Sequence, residues 1–312
     1  MEKKMKNKVM VLMSTYNGEK FIDKQLKSIL CQKDVEVEIL VRDDGSTDNT
    51  LNILKKYKKK GFLDYYCGKN LGPAKSFMEL INSPKVDNKT EFFAFSDQDD
   101  IWREDKLKRA VDVLNKPKYA EVPSLYASNF QLVDSNEKFL KNINHIVTTT
   151  FLDSIVISSC TGCTMVFNSK LMNIIKGRIP DYLYMHDDWI HKVCLAIGGK
   201  VFFDKKNRTV YYRQHGNNVL GIQEGLLKKL HKKISDIVFP KYKDCMLKEY
   251  AEIKRLYYPN IPEENKEIID ILLNYKSMNF LQRIFFIRKV DSETKLKKFS
   301  KDFKASILFK RY

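Results

Sequence analysis

Phe92-Phe93-Ala94-Phe95-Ser96-Asp97-Gln98-Asp99-Asp100-Ile101-Trp102 runs four apolar residues straight into a knot of three carboxylates. A short unbroken apolar run reads as a strand buried on both faces, because a half-buried strand would alternate. Acidic groups directly after such a strand lie at its carboxyl end, where open α/β sheets bind ligands. Toward the N-terminus the pattern repeats. Residues 9–13 are a further apolar run, and 37–41 and 63–67 are further strand candidates. Between them Phe21, Ile22, Leu26, Ile29 and Leu30 recur at helical spacing. Leu51, Leu54 and Tyr57 do the same on a helix that Ser46 or Thr47 can cap and Gly61 ends. Residues 73–81 form a short helix with proline at its start. This β-α-β-α-β-α-β order predicts an α/β fold: a mostly parallel central sheet flanked by helices.

Toward the C-terminus the pattern is more mixed. Residues 106–114 read as a helix, and 125–127 and 160–167 as strands. Residues 188–197 read as a helix that stops at Gly198-Gly199, and 201–203 and 209–212 alternate like two strands. Beyond Gly221 glycine nearly vanishes and lysine-rich helical patterns take over. The chain is therefore expected to divide into a catalytic domain, residues 1–221, and a helical, basic C-terminal region, residues 222–312.

Bulk properties bound the function. A hydrophobic fraction of 43% over 312 residues supplies a sizeable core. The apolar run 9–13 is too short for a secretory h-region, and no stretch approaches the roughly 18 apolar residues of a membrane span. The expected location is the cytoplasm. Six scattered cysteines do not resemble a disulfide framework. The lone Cys160-x-x-Cys163 lacks the second pair of a zinc site, and reduced thiols near a strand are the preferred reading. A net charge of +17 calls for an anionic partner: nucleic acid, an anionic membrane or a phosphorylated substrate.

Three acidic clusters carry candidate chemistry. Arg42-Asp43-Asp44-Gly45-Ser46-Thr47-Asp48 offers a carboxylate to a nucleobase edge, or equally an Asp-Gly turn with a helix cap. In Asp97-Gln98-Asp99-Asp100 the carboxylates repel one another unless neutralised. Mg²⁺ and Mn²⁺ prefer such oxygen ligands and bridge them to diphosphates. Metal binding is favoured there over a solvated turn capping a helix that begins near Trp102. His186-Asp187-Asp188-Trp189 enters a helix, so it reads as a cap or as a general base toward a hydroxyl. His215 is a loop histidine or a nitrogen ligand to the same metal.

Taken together these residues resemble the family 2 glycosyltransferases of the GT-A fold, over about residues 9–221. The pieces stand in the family's order: Ser14-Thr15-Tyr16-Asn17, residues 43–48, Asn70-Leu71-Gly72 with Lys75, and residues 97–102. Then come Thr161-Gly162-Cys163-Thr164-Met165, residues 186–189, and Tyr212-Arg213-Gln214-His215-Gly216-Asn217-Asn218. The nearest branch builds bacterial capsule, O-antigen and rhamnose-containing polysaccharides. The resemblance implies that Ser14, Tyr16 and Asp44 hold the nucleoside and that Lys75 lies near the diphosphate. Asp97 would bind the ribose or the sugar, and Asp99, completed by His215, the Mn²⁺ or Mg²⁺. Asp187 is implied as the base of a single inverting displacement. The family usually has Glu-Asp where this chain has His186-Asp187, so Asp188 is the alternative.

The expected partners are a UDP- or dTDP-sugar donor and a saccharide or lipid-linked saccharide acceptor. The basic clusters Lys228, Lys229, Lys232, Lys233 and Lys295, Lys297, Lys298, Lys301, Lys304 read as solvated helix faces or as a surface on an anionic inner leaflet. In the second reading apolar residues near Phe285 dip into the membrane; a subunit interface would use the same helices. Two rival functions fit the sequence less well. A sugar nucleotidyltransferase would need a glycine-rich basic loop after the first strand, where this chain has Ser14-Thr15-Tyr16-Asn17-Gly18. A nucleic-acid-binding protein would show a recognised motif, and none is present, so no nucleic acid partner is expected.

Overall fold

The computed structural model describes residues 6–86, 89–156, 160–215, 239–293 and 307–308. Its first half follows the alternation read from the sequence. Strand β1 (Lys8–Thr15) leads to helix α1 (Ile22–Leu30), β2 (Glu36–Asp43), α2 (Thr50–Lys59), β3 (Asp64–Cys67), α3 (Pro73–Ile81) and β4 (Phe92–Ser96). These four strands lie side by side, all parallel, in the order β3-β2-β1-β4. The continuous apolar runs of β1 and β4 have a direct cause. Met10, Leu12, Phe93 and Phe95 enter one core layer, while Val9, Val11, Met13, Phe92 and Ala94 enter the layer on the opposite face. Side chains alternate across a strand, so both registers must be apolar when both faces are covered. Each such buried side chain contributes about 1.5–3 kcal/mol.

The second half mixes directions. It comprises β5 (Ile101–Trp102), α4 (Lys106–Leu114), α5 (Pro117–Ala120), β6 (Ser124–Val133), β7 (Phe139–Ile143), α6 (Phe151–Val156), β8 (Val166–Asn168), α7 (Ser169–Ile175), α8 (His186–Ala196) and β9 (Lys200–Arg213). The sheet continues from β4 as β8-β6-β9-β5, with β7 on β6. Strand β8 is antiparallel to both β4 and β6, and β6 and β9 are parallel.

Several local expectations are corrected. No helix begins near Trp102: Ile101 and Trp102 pair antiparallel with Tyr211 and Val210, and α4 starts only at Lys106. The two strands expected at 201–203 and 209–212 are one strand, β9, whose register against β6 shifts around Ser128 and Asn129. A bulge absorbs the polar residues that looked like a gap. Residues 160–167 are not one strand; a 3-10 turn, Gly162–Thr164, precedes β8. Neither Ser46 nor Thr47 caps α2. Asn49 holds the N-cap position without a side-chain hydrogen bond, and Asp48 before it accepts from the Thr50 amide at 3.0 Å. Gly198 ends α8 as expected, at φ +75°, a conformation suited to glycine.

Helices α9 (Phe239–Tyr257), α10 (Glu263–Asn274) and α11 (Phe280–Glu293) complete the described chain. Met246, Tyr250, Ile253 and Tyr257 of α9, and Ile268, Ile269 and Leu272 of α10, enter the same core layer as Phe93, Phe167 and Trp189. The helices beyond residue 221 thus share a core with one face of the sheet. The expected boundary at Gly221 and the lysine clusters at 228–233 and 295–304 lie outside the described residues. Among the described residues no helix is long and apolar enough to cross a membrane.

Candidate active site

A cavity of about 430 Å³ opens at the carboxyl ends of β1, β2 and β4, between α3 and the start of α8. It gathers side chains from all three acidic clusters: Asp44, Asp97, Asp99 and Asp187.

One wall of the cavity comes from β1, β2 and α3. Ser14 lines the cavity, its Oγ 2.6 Å from Ser76 Oγ, and Tyr16 follows with 45% of its surface exposed. Asp43 is consumed by its own turn. It accepts from the Gly45 and Ser46 amides at 3.1 and 2.9 Å and from Ser46 Oγ at 2.6 Å. Asp44 pairs with buried Arg42 and accepts from the Leu71 and Gly72 amides, both at 2.9 Å. It therefore anchors the Asn70–Leu71–Gly72 loop while lining the cavity. Lys75, expected near the diphosphate, is exposed in the first turn of α3 and does not line the cavity.

The acidic knot after β4 is held from several directions. Gln98 clamps the β1 loop, its Oε1 accepting from Thr15 Oγ1 at 2.5 Å and from the Tyr16 amide at 2.9 Å. Arg213 Nε donates to the Asp99 carbonyl at 2.9 Å. His215 Nε2 lies 2.7 Å from Asp99 Oδ2, with its ring stacked on Phe21 at 4.6 Å. Two side chains 116 positions apart in the sequence thus meet at the cavity edge.

Asp100 turns away from the cavity. It is buried, hydrogen-bonds the Cys163 thiol, and accepts from the Arg213 amide at 3.3 Å. Asp97, Asp100 and Cys163 offer ligand atoms within 4.8 Å of one another, but only Asp97 of the three lines the cavity. Burial pushes the Cys160 and Cys163 thiols up, consistent with protonated thiols.

Asp187 stands in the first turn of α8. Its Oδ2 accepts from the Gly162 amide and its Oδ1 from the Asp188 amide, both at 2.8 Å. Burial is the main cause that pushes its carboxyl up to about 6, and Asp188 adds to it. Gly162 is packed too closely for any side chain: a Cβ there would lie 2.7 Å from His186 Nε2. His186 is buried and stacked on Phe77 at 3.8 Å, and burial drives its pKa down to about 3. Asp188, the alternative base, points the other way. Its Oδ2 accepts from buried Lys192 at 2.6 Å, and Lys192 also donates to Glu249 of α9 at 2.5 Å. Asp188 does not line the cavity.

The electrostatics fit a divalent cation. Burial, then Asp99, then Asp187 push Asp97 up to about 8. Among the described residues lining the cavity none is a lysine or arginine. Carboxylate oxygens with one imidazole make a donor set suited to Mn²⁺ or Mg²⁺.

Sequence reasoning missed the Gln98 clamp, the Gly162 amide and the Lys192–Glu249 pair. Only Gly162 had a signal, its place in the run 161–165. The others act through partners 57 or more positions away.

Comparisons with known proteins bear on the family and the fold. The profile of Glycosyl transferase family 2 matches residues 10–174. The dTDP-rhamnosyl transferase RfbG of Shigella flexneri is 34% identical over 224 residues, covering 67% of this chain and 73% of that protein. Staphylococcus aureus TarS, solved with UDP-GlcNAc, superposes with a TM-score of 0.59 at 18% identity, over 99% of this chain and 89% of that one. The Pyrobaculum calidifontis mannosyltransferase PcManGT, solved with GDP-Man and Mn²⁺, gives 0.52 at 13% identity, over 98% and 86%. At these identities the two structures establish the fold, which is that of GT-A glycosyltransferases.

Proposed function

This chain belongs to Glycosyl transferase family 2, and on that premise we propose that it moves a sugar from a nucleoside diphosphate to an acceptor hydroxyl with inversion. The observation that carries the reading is the meeting of Asp97, Asp99 and Asp187 in one cavity with Ser14, Tyr16 and Asp44.

In this reading Tyr16 and Ser14 pack against the nucleoside. Asp44 presents the Leu71–Gly72 loop and the edge of its own carboxylate to the base. Asp97 contacts the ribose or the sugar. Asp99 and His215 would hold Mn²⁺ or Mg²⁺, which supplies positive charge to the leaving diphosphate. Lys75, in the turn that follows cavity-lining Gly72 and Pro73, is a second candidate cation for the diphosphate. Asp187 takes the proton of the acceptor hydroxyl as that oxygen attacks the anomeric carbon, opposite the departing diphosphate. Two amide hydrogen bonds aim its carboxylate, and its raised pKa keeps it a useful base near neutrality.

dTDP-rhamnose is the proposed donor, because the relative with 34% identity is a dTDP-rhamnosyl transferase. The acceptor is a saccharide or lipid-linked saccharide of a bacterial surface polysaccharide. Leu281 and Phe285 stand on one face of α11 with 75% and 73% of their surface exposed, beside exposed Arg288. That face is the proposed contact with an anionic membrane surface. Loss of sedimentation with phosphatidylglycerol vesicles in Leu281→Ser/Phe285→Ser would support it, and unchanged sedimentation would end it.

The test of function is calorimetry of dTDP, UDP, GDP and CDP with and without Mn²⁺, followed by transfer from dTDP-rhamnose with the product anomer read by NMR. Selective, Mn²⁺-dependent binding and an inverted product are expected. A folded protein that binds none of the diphosphates would overturn the proposal.

A further inference from the structure

Helix α8 begins without a local cap. Met185 stands at its N-cap and makes no side-chain hydrogen bond to the first turn. A helix start that carries a reacting group needs fixing, because small displacements of a catalytic group cost rate steeply. The fixing contacts come from α9, beyond the region that carries the family's motifs.

Glu249 of α9 is fully buried and reaches α8 and the loop before it at once. Its Oε1 accepts from the Tyr184 amide at 2.7 Å, and its Oε2 accepts from Lys192 at 2.5 Å. Lys192, also fully buried, donates in turn to Asp188 at 2.6 Å, the residue whose amide binds Asp187. Three positions along α9, Glu252 Oε2 accepts from the Asp181 amide at 2.8 Å. The loop 181–184 is thus tied down at both ends by α9, and the base-bearing turn follows it directly.

We propose that Glu249, acting through Lys192 and Asp188 and through the Tyr184 amide, is a positioning residue that holds Asp187 against the acceptor hydroxyl. The C-terminal helices then belong to the catalytic unit and do more than attach it to a surface. The inference rests on the proposed role of Asp187.

A buried charge that loses its partner destabilises a fold, so Glu249→Ala by itself would report mainly stability. The informative variants are Glu249→Gln and the triple Asp188→Asn/Lys192→Met/Glu249→Gln, which removes all three charges of the network together. Each is compared with wild type for melting temperature, Mn²⁺-dependent dTDP affinity by calorimetry, and kcat with dTDP-rhamnose as donor. The triple variant is expected to melt near wild type and bind dTDP within about twofold, with kcat lower by about 10–100-fold. If its kcat returns with its stability, the pair is only structural and the proposal is overturned. If kcat and dTDP affinity fall together, the defect lies outside the base, and the proposal is overturned in that case too. Should wild type itself bind no nucleoside diphosphate, the functional reading fails first, and separately.

Discussion

The acidic runs that follow β2 and β4 look alike, yet Asp43 and Asp48 of the first meet a different fate from Asp97 and Asp99 of the second. Asp43 and Asp48 spend their oxygens on amides and hydroxyls of their own neighbourhood, Gly45, Ser46, Thr50 and Glu19. Asp97 and Asp99 instead face a cavity with Asp187, and their mutual repulsion adds to burial in driving Asp97 up to about 8. A carboxylate satisfied by local donors builds the scaffold. One left facing others of its sign is held for a ligand that can neutralise it. The composition of the two runs is similar; the supply of nearby donors differs.

The largest effect that would sharpen this contrast is expected at Asp187. Asp187→Asn should lower kcat by about 10³-fold, in the range of a lost general base, while dTDP affinity holds. Because the proposed base works ionised and burial pushes its pKa up to about 6, wild-type kcat/KM should fall about tenfold per pH unit below that value. Stability runs the other way. A folded-state pKa above the ordinary 3.8 means this group favours the fold at low pH and loses that contribution as pH rises through 6. The melting temperature of Asp187→Asn relative to wild type should therefore rise between about pH 4 and pH 8, and a difference that does not change with pH would contradict the burial argument.

Next in size, Asp99→Ala should weaken Mn²⁺-dependent dTDP binding about 100-fold with little change in melting temperature. Retained Mn²⁺ dependence would move the cation to other ligands and blur the distinction between the two loops. Asp43→Ala should do the reverse. It removes three hydrogen bonds to a charged acceptor and should cost about 2 kcal/mol of stability, measured by urea unfolding. A selective loss of donor affinity at unchanged stability would break the comparison. The smallest effect is expected for Asp48→Ala, about 1 kcal/mol, because its bonds to the Thr50 and Glu19 amides are half-exposed and water can replace them.

Much of the parallel half was legible because its rules are local. Unbroken apolar runs gave β1 and β4, and helices α3 and α4 match their expected bounds at both ends. Pro73 at the first position of α3 fixes where that helix can start. The second half was harder. Ile101 and Trp102 are a strand only because Val210 and Tyr211 arrive beside them, and β9 is continuous only because β6 tolerates a register shift. Neither partner leaves a mark on the short sequence itself.

The same division runs through the site. By itself the sequence determined that three acidic clusters follow strands or open a helix, which placed them at one edge of a parallel sheet, and their order along the chain marked the family. Only the tertiary structure decided between neighbours. Asp187 and Asp188 are chemically identical and adjacent, so no periodicity separates them. A helix turns by about 100° per residue, which sends one side chain to the cavity and the Gly162 amide and the other to Lys192 and Glu249. Which of the two faces the cavity depends on what packs against each side of α8, and those groups come from distant parts of the chain.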